Sequence, residues 1–161
     1  ELVREFDNVI LLRSLSKGYS LAGLRFGYAI AHADLIAGLV KVKDSYNVDA
    51  VAIALATAAI RDQAYFKTNV AKVRADRAIL TEGLKSLGFE VLDSSTNFVL
   101  ATVGAKRFSP LRVGQIYEEL ARRDIYVRYF DVPGLDDKLR ISVGTKQQNE
   151  KLLAALKEIL G

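Results

Sequence analysis

Residues 14–28, SLSKGYSLAGLRFGY, follow the aliphatic run VILLR at 9–13 and set one lysine, Lys17, among serines and small residues, with Arg25 close behind. A glycine-rich loop after a strand can cradle a phosphate through its backbone N–H groups. Here, however, the lysine comes first and the glycines follow, the reverse of a Walker A loop. Gly18, Gly23 and Gly27 also lack the G-x-G-x-x-G spacing of a dinucleotide turn. What remains is a primary amine with two hydroxyls, Ser14 and Ser16, and the Arg25 guanidinium.

Each of these groups has a chemistry. A confined amine condenses with an aldehyde and can give up its proton readily enough to act as a base. Hydroxyls and an arginine are good phosphate ligands, the arginine being able to bind in two-pronged fashion. An aldehyde that carries a phosphate, pyridoxal 5′-phosphate, offers a handle to both. Taken singly, Lys17 reads as a solvated loop residue and Arg25 as a surface ion-pair partner. The conjunction of Ser-x-Ser-Lys with Gly23-Leu24-Arg25-Phe26-Gly27 favours the site.

Composition narrows the alternatives. Of 161 residues, 50% are hydrophobic and 26% charged, as in a soluble globular protein. There is no cysteine, hence no disulfide framework, and a single histidine, His32, excludes the usual Cys/His zinc sites; no metal is expected. His32, between two alanines, reads as a helix cap or surface residue. A reducing, cytoplasmic setting is compatible and is the expectation. No apolar run approaches the roughly 20 residues of a membrane span, and no signal peptide pattern stands at the start, so no membrane partner is expected. The net charge is +4, but basic residues are dispersed and answered by acids, as in Arg74-Ala75-Asp76-Arg77 and Arg122-Arg123-Asp124. Nucleic-acid binding is therefore not expected. The chain opens at Glu1 and contains no methionine, which suggests a piece of a longer protein.

Along the chain, residues 9–13 and 25–31 read as buried strands that lack neighbours, with Tyr28 in the core. Leu35, Ile36, Leu39 and Val40 mark one face of a helix capped by His32 or Asp34, and residues 50–60 are apolar almost all round, suiting a helix buried between layers. Phe66, Val70, Val73, Leu80, Leu84 and Leu87 keep a 4-3 spacing, interrupted where Arg77 takes one place. That predicts an amphipathic helix of about 22–25 residues, some 35 Å long, ended by Gly88 and able to connect two domains. Beyond it, residues 89–92 and 97–103 read as strands around the polar turn Asp93-Ser94-Ser95-Thr96. Ser109-Pro110 starts a helix carrying Leu111, Ile116, Tyr117 and Leu120 inward. Ile125, Val127 and Tyr129 alternate, as do residues 139–143, and Thr145 with Gln148 makes a capping box for a last helix.

Ser14-Leu15-Ser16-Lys17 followed by Leu21-Ala22-Gly23-Leu24-Arg25-Phe26-Gly27-Tyr28 resembles the lysine segment of fold-type I, pyridoxal-phosphate-dependent aminotransferases, and more narrowly that of histidinol-phosphate aminotransferases. The resemblance continues through Thr96-Asn97-Phe98-Val99-Leu100, Ile125-Tyr126-Val127-Arg128, Pro133-Gly134-Leu135 and residues 139–145, LRISVGT, in family order. It implies an α/β fold: the end of a large pyridoxal-phosphate-binding domain at 1–65, then a connecting helix and a small α+β domain with an antiparallel sheet at 66–161. It also implies that Lys17 carries pyridoxal 5′-phosphate as a Schiff base and moves the proton between substrate and cofactor, and that Ser14, Ser16 and Arg25 hold the cofactor phosphate. Arg140 matches the family's substrate-binding arginine. Asn97 either approaches the substrate or only caps its turn.

The implied reaction is transamination between histidinol phosphate and 2-oxoglutarate, in histidine biosynthesis, by a homodimeric parent about twice this long. The missing part would supply the aspartate that pairs with the cofactor's ring nitrogen, so the 161 residues alone are expected to be inactive. Related readings are threonine-phosphate decarboxylase, an aromatic aminotransferase, or a binding module without the chemistry.

Overall fold

The computed structural model of the chain describes residues 1–103 and 111–161. They form two compact units, Glu1–Val70 and Ala71–Gly161. The helix start expected at Ser109-Pro110 lies outside the described residues, as does the side chain of Leu111.

The first unit begins with a short helix, α1 (Leu2–Glu5), and a strand, β1 (Ile10–Ser14). A turn and a 3-10 turn at Ala22–Leu24 lead to β2 (Gly27–Ala31), followed by α2 (Ala33–Val42) and α3 (Ala50–Arg61). The expectation for this half needs correction. β1 and β2 are not buried strands that lack neighbours. They pair antiparallel with each other, Ile10 opposite Ala31 and Ser14 opposite Gly27, and most of their residues are exposed. Gly27 permits this pairing, because a Cβ there would lie 2.9 Å from the backbone oxygen of Arg13. Tyr28, expected in the core, is 41% exposed. Nor is α3 buried between layers: only Ala52 and Ala56 are buried, while Val51, Ile53 and Leu55 are exposed. The apolar run recorded what these side chains prefer, and within this unit nothing covers them. His32 does cap α2, its Nδ1 accepting the Asp34 N–H at 3.4 Å.

α4 (Gln63–Ser86) is 24 residues long and ends as expected, with Gly88 at a φ of 93°. It continues into the second unit, where β3 (Phe89–Val91), β4 (Phe98–Val103), α5 (Leu111–Arg122), β5 (Arg128–Tyr129), β6 (Lys138–Ser142) and α6 (Lys146–Leu160) follow. The strands form an antiparallel sheet in the order β3-β4-β6-β5.

Strand alternation gives this sheet two chemically different faces. Val99, Ala101, Val103, Leu139 and Ile141 point inward and are buried with Leu80 and Leu84 of α4, Val113, Ile116 and Leu120 of α5, and Leu152, Ala155 and Leu156 of α6. This cluster is the core of the unit and the main reason it holds together. The expected capping box on α6 is present, with Thr145 and Gln148 satisfying each other's backbone N–H groups. The opposite face of the sheet carries Phe98, Leu100, Arg128, Arg140 and Ser142.

Candidate functional site

In the first unit the candidate residues sit where β1 ends and the chain turns. Leu15 is fully buried and anchors the turn: its N–H donates to the Phe26 carbonyl at 3.3 Å, and its own carbonyl accepts from Leu21 at 3.1 Å. The residues around it face solvent. Ser14, the last residue of β1, and Ser16 are joined through their hydroxyls at 2.9 Å, and Ser14 Oγ also accepts the Ser16 N–H at 3.1 Å. Lys17 follows, exposed, and its carbonyl accepts from Ser20 at 3.0 Å. No carboxylate among the described residues pairs with its amine.

Beneath this turn lies an aromatic support. The Tyr19 ring stacks on Phe66 of α4 with centroids 4.4 Å apart, and Gln63 donates to the Tyr19 hydroxyl at 3.2 Å. Gly18 is the small residue this contact requires, since a Cβ there would lie 2.7 Å from Phe66 Cε2. Two non-glycine residues, Ser20 and Arg25, adopt left-handed backbone conformations at φ of 57° and 54°. Such residues cost about 1–2 kcal/mol each, and a loop that holds two of them next to an exposed lysine is a functional candidate on geometric grounds. Arg25 ends the 3-10 turn and donates through one amino group to the Ala22 carbonyl at 2.9 Å, leaving further donors of its fork for an anion. The structure thus joins Ser14 to Ser16 directly, while Arg25 bonds its own turn rather than either serine. The donor set suits a small phosphorylated carbonyl compound: an amine that no carboxylate among the described residues holds, two hydroxyls and an anchored guanidinium.

The second unit holds the other two candidates on the outer face of its sheet. Arg140 is exposed on β6, with its guanidinium 5.3 Å from the Phe98 ring centroid and 5.7 Å from that of Phe130. Directly across the ladder from it stands Arg128, itself 5.1 Å from the Phe130 ring. Like charges directly opposite each other are unfavourable in a sheet, so two arginines so placed, each against an aromatic face, form a cationic surface suited to an anion. Sequence reasoning gave Arg128 no role. The signal was there: Ile125, Val127 and Tyr129 turn inward and therefore turn Arg128 outward, onto the face that Leu139 and Ile141 leave to Arg140.

Asn97 immediately precedes β4 and is exposed, and its carbonyl accepts the Val143 N–H at 2.9 Å. It is not the turn cap that was one expectation. Ser94 and Thr96 do that work: the Ser94 hydroxyl accepts the Thr96 N–H at 3.1 Å, and the Thr96 hydroxyl accepts the Phe98 N–H at 3.2 Å.

With that geometry in view, comparison with known proteins is decisive at the level of the family. The family model for aminotransferase class I and II matches residues 1–156. The chain belongs to this family. Among individual relatives, it is 52% identical over 160 residues to histidinol-phosphate aminotransferase 1 of Trichormus variabilis, and 54% identical over 159 residues to the protein of the same name from Nostoc sp.. Each match covers 99% of this chain and 44% of the relative, so the chain spans less than half the length of these curated relatives. A crystal structure of histidinol-phosphate aminotransferase from Sinorhizobium meliloti, in complex with pyridoxal-5′-phosphate, superposes on 96% of this chain with a TM-score of 0.83 at 30% identity, using 41% of its own length. The α/β architecture of this chain is therefore that of part of the fold its relatives share.

Proposed function

We infer that this aminotransferase chain acts, within a protein of its relatives' full length, in pyridoxal-phosphate-dependent transamination between histidinol phosphate or imidazole acetol phosphate and glutamate or 2-oxoglutarate. The single observation that carries this is the 52% identity to a histidinol-phosphate aminotransferase across 99% of the chain, with Lys17 standing in the serine-flanked turn described above. When bound, the cofactor would supply an electron sink for the bond broken at the substrate's Cα.

The residues of the chain divide the remaining work. Ser14, Ser16 and Arg25 would hold the cofactor phosphate, the hydroxyls as single donors and the guanidinium through the part of its fork not committed to Ala22. Lys17 would be the residue that holds the cofactor through its aldehyde, and its Nζ would move the proton to and from substrate Cα. No carboxylate among the described residues holds the amine, which supports that role. Arg140 and Arg128 hold the distal anion of the substrate. Histidinol phosphate brings a phosphate and glutamate a carboxylate, and two guanidinium groups on one sheet face accommodate either, as alternating use of one site by two substrates requires. Asn97, at the rim of that face, contacts the substrate. A homodimer in the cytoplasm, acting on small molecules, completes the proposal.

The test uses the full-length protein that carries this sequence. Borohydride reduction in the presence of pyridoxal 5′-phosphate, followed by peptide mapping, is expected to label Lys17. A substrate panel with glutamate as amino donor is expected to favour imidazole acetol phosphate. No label on Lys17 would overturn the chemistry. Carbon dioxide release from O-phosphothreonine, with no transamination, would leave the cofactor chemistry standing and replace the reaction by decarboxylation. The 161 residues alone are expected not to transaminate.

A further inference from the structure

Along α4 the 4-3 spacing of apolar residues is interrupted at Arg77, where a leucine would continue the stripe. The side chain is half-buried, and no carboxylate among the described residues pairs with it. Its guanidinium instead donates to a backbone group, the carbonyl of Thr96, on a different element of the same unit. The other bonds of that turn are local. The hydroxyls of Ser94 and Thr96 both reach the Phe98 carbonyl, at 2.6 and 3.0 Å, and Ser94 caps the Thr96 N–H. They fix the turn's shape, but not where the turn sits on the sheet.

Two bonds fix that. On one side Arg77 holds the Thr96 carbonyl; on the other the Val143 N–H holds the Asn97 carbonyl at 2.9 Å. The next residue, Phe98, offers the ring face against which Arg140 lies. We propose that Arg77 is a positioning residue for the substrate-anion face: through the Thr96 carbonyl it sets the place of Asn97 and Phe98, and so the direction in which Arg140 presents its guanidinium. The proposal rests on the reading of Arg140 as an anion-holding group. It also explains the interruption in the stripe, since an apolar residue at that position would leave the Thr96 carbonyl to solvent and the turn held from one side only.

The experiment compares the full-length protein that carries this sequence with its Arg77→Leu, Arg77→Lys and Arg140→Ala variants. Amide exchange and the Arg140 Nε–H resonance are followed by NMR, with and without inorganic phosphate at constant ionic strength. In Arg77→Leu the Val143 amide is expected to exchange about tenfold faster and the Arg140 resonance to move, while Ile141 and Leu139 stay protected. Phosphate binding is expected to weaken by about fivefold or more, and Arg77→Lys, which keeps a donor, is expected to recover to within about threefold. Unchanged Val143 exchange and an unchanged Arg140 resonance in Arg77→Leu overturn the proposal, whatever the phosphate affinity. If Arg77→Leu does not fold, the same two readouts in Arg77→Lys decide: wild-type-like values support the proposal, and changed values overturn it. If phosphate binding proves independent of Arg140, the anion reading of that arginine fails separately, and the two structural readouts still decide whether Arg77 sets the turn.

Discussion

Replacing Gly18 by alanine asks whether the Lys17 turn depends on its contact with α4. The backbone at Gly18 has no positive φ, so alanine meets no conformational barrier there. The added methyl would lie 2.7 Å from Phe66 Cε2, about 0.7 Å short of ordinary contact at 3.4 Å. The ring that must yield is also the one stacked on Tyr19, so it cannot retreat without loosening that stack. Overpacking of this kind costs about 1–3 kcal/mol. Against it stands a gain of about 0.4–1 kcal/mol, because alanine restricts the unfolded chain more than glycine does. At mid-range the clash wins, by about 1.3 kcal/mol. The assay is hydrogen exchange at the Leu21 amide, which bonds the Leu15 carbonyl across the turn. Exchange is expected to accelerate by roughly 5–30-fold, with loss of the close Tyr19–Phe66 ring contact in NOE spectra. A second change, Phe66→Leu, makes room for the methyl and should make the two effects less than additive. Unchanged or slower exchange at Leu21 in Gly18→Ala would refute the claim that Phe66 supports the turn.

Two further outcomes follow from the second unit. Leu120 is fully buried in the core, so Leu120→Ala is expected to cost about 2–5 kcal/mol in urea unfolding followed by far-UV circular dichroism; a loss below about 1 kcal/mol would show that the unit relaxes around the cavity. The Tyr129 phenol is pushed above its ordinary value of 10.0, first by burial and then by Asp131 and Asp136. A folded-state pKa above the unfolded one means that the native state keeps its proton longer. Stability from this source is complete below the unfolded value and falls as pH rises through the folded one. Tyr129→Phe should therefore flatten the alkaline limb of the stability curve, and an unchanged limb would rule Tyr129 out as its cause.

What could be read from the sequence was whatever the chain decides locally. The length of α4, the stop at Gly88, the Thr145–Gln148 capping box and the inward alternation of Ile125, Val127 and Tyr129 are set by neighbours within a few residues, and all are seen in the structure. The strands around Lys17 were legible as strands, but not in their pairing or exposure. VILLR is apolar on both faces, a pattern that fits a buried parallel strand as well as an antiparallel one whose cover lies elsewhere. The Ser14–Ser16 hydroxyl pair was visible as a motif because its members are two residues apart. The pairing of Arg128 with Arg140 depends on the register of two strands separated by a loop, which no local spacing records.

That pairing has a thermodynamic consequence. Two positive charges set opposite each other at the β5–β6 edge mean that this edge folds against its own electrostatic repulsion. Any anion that settles between them removes part of that repulsion and stabilises the folded unit by mass action. The edge of this sheet is thus under-neutralised when empty, and part of the free energy of anion capture is the relief of a tension already present in the folded chain. A dilute, low-salt buffer leaves that tension in place. Phosphate-rich solution relaxes it, so the melting temperature of the unit becomes a gauge of how well the two arginines are answered.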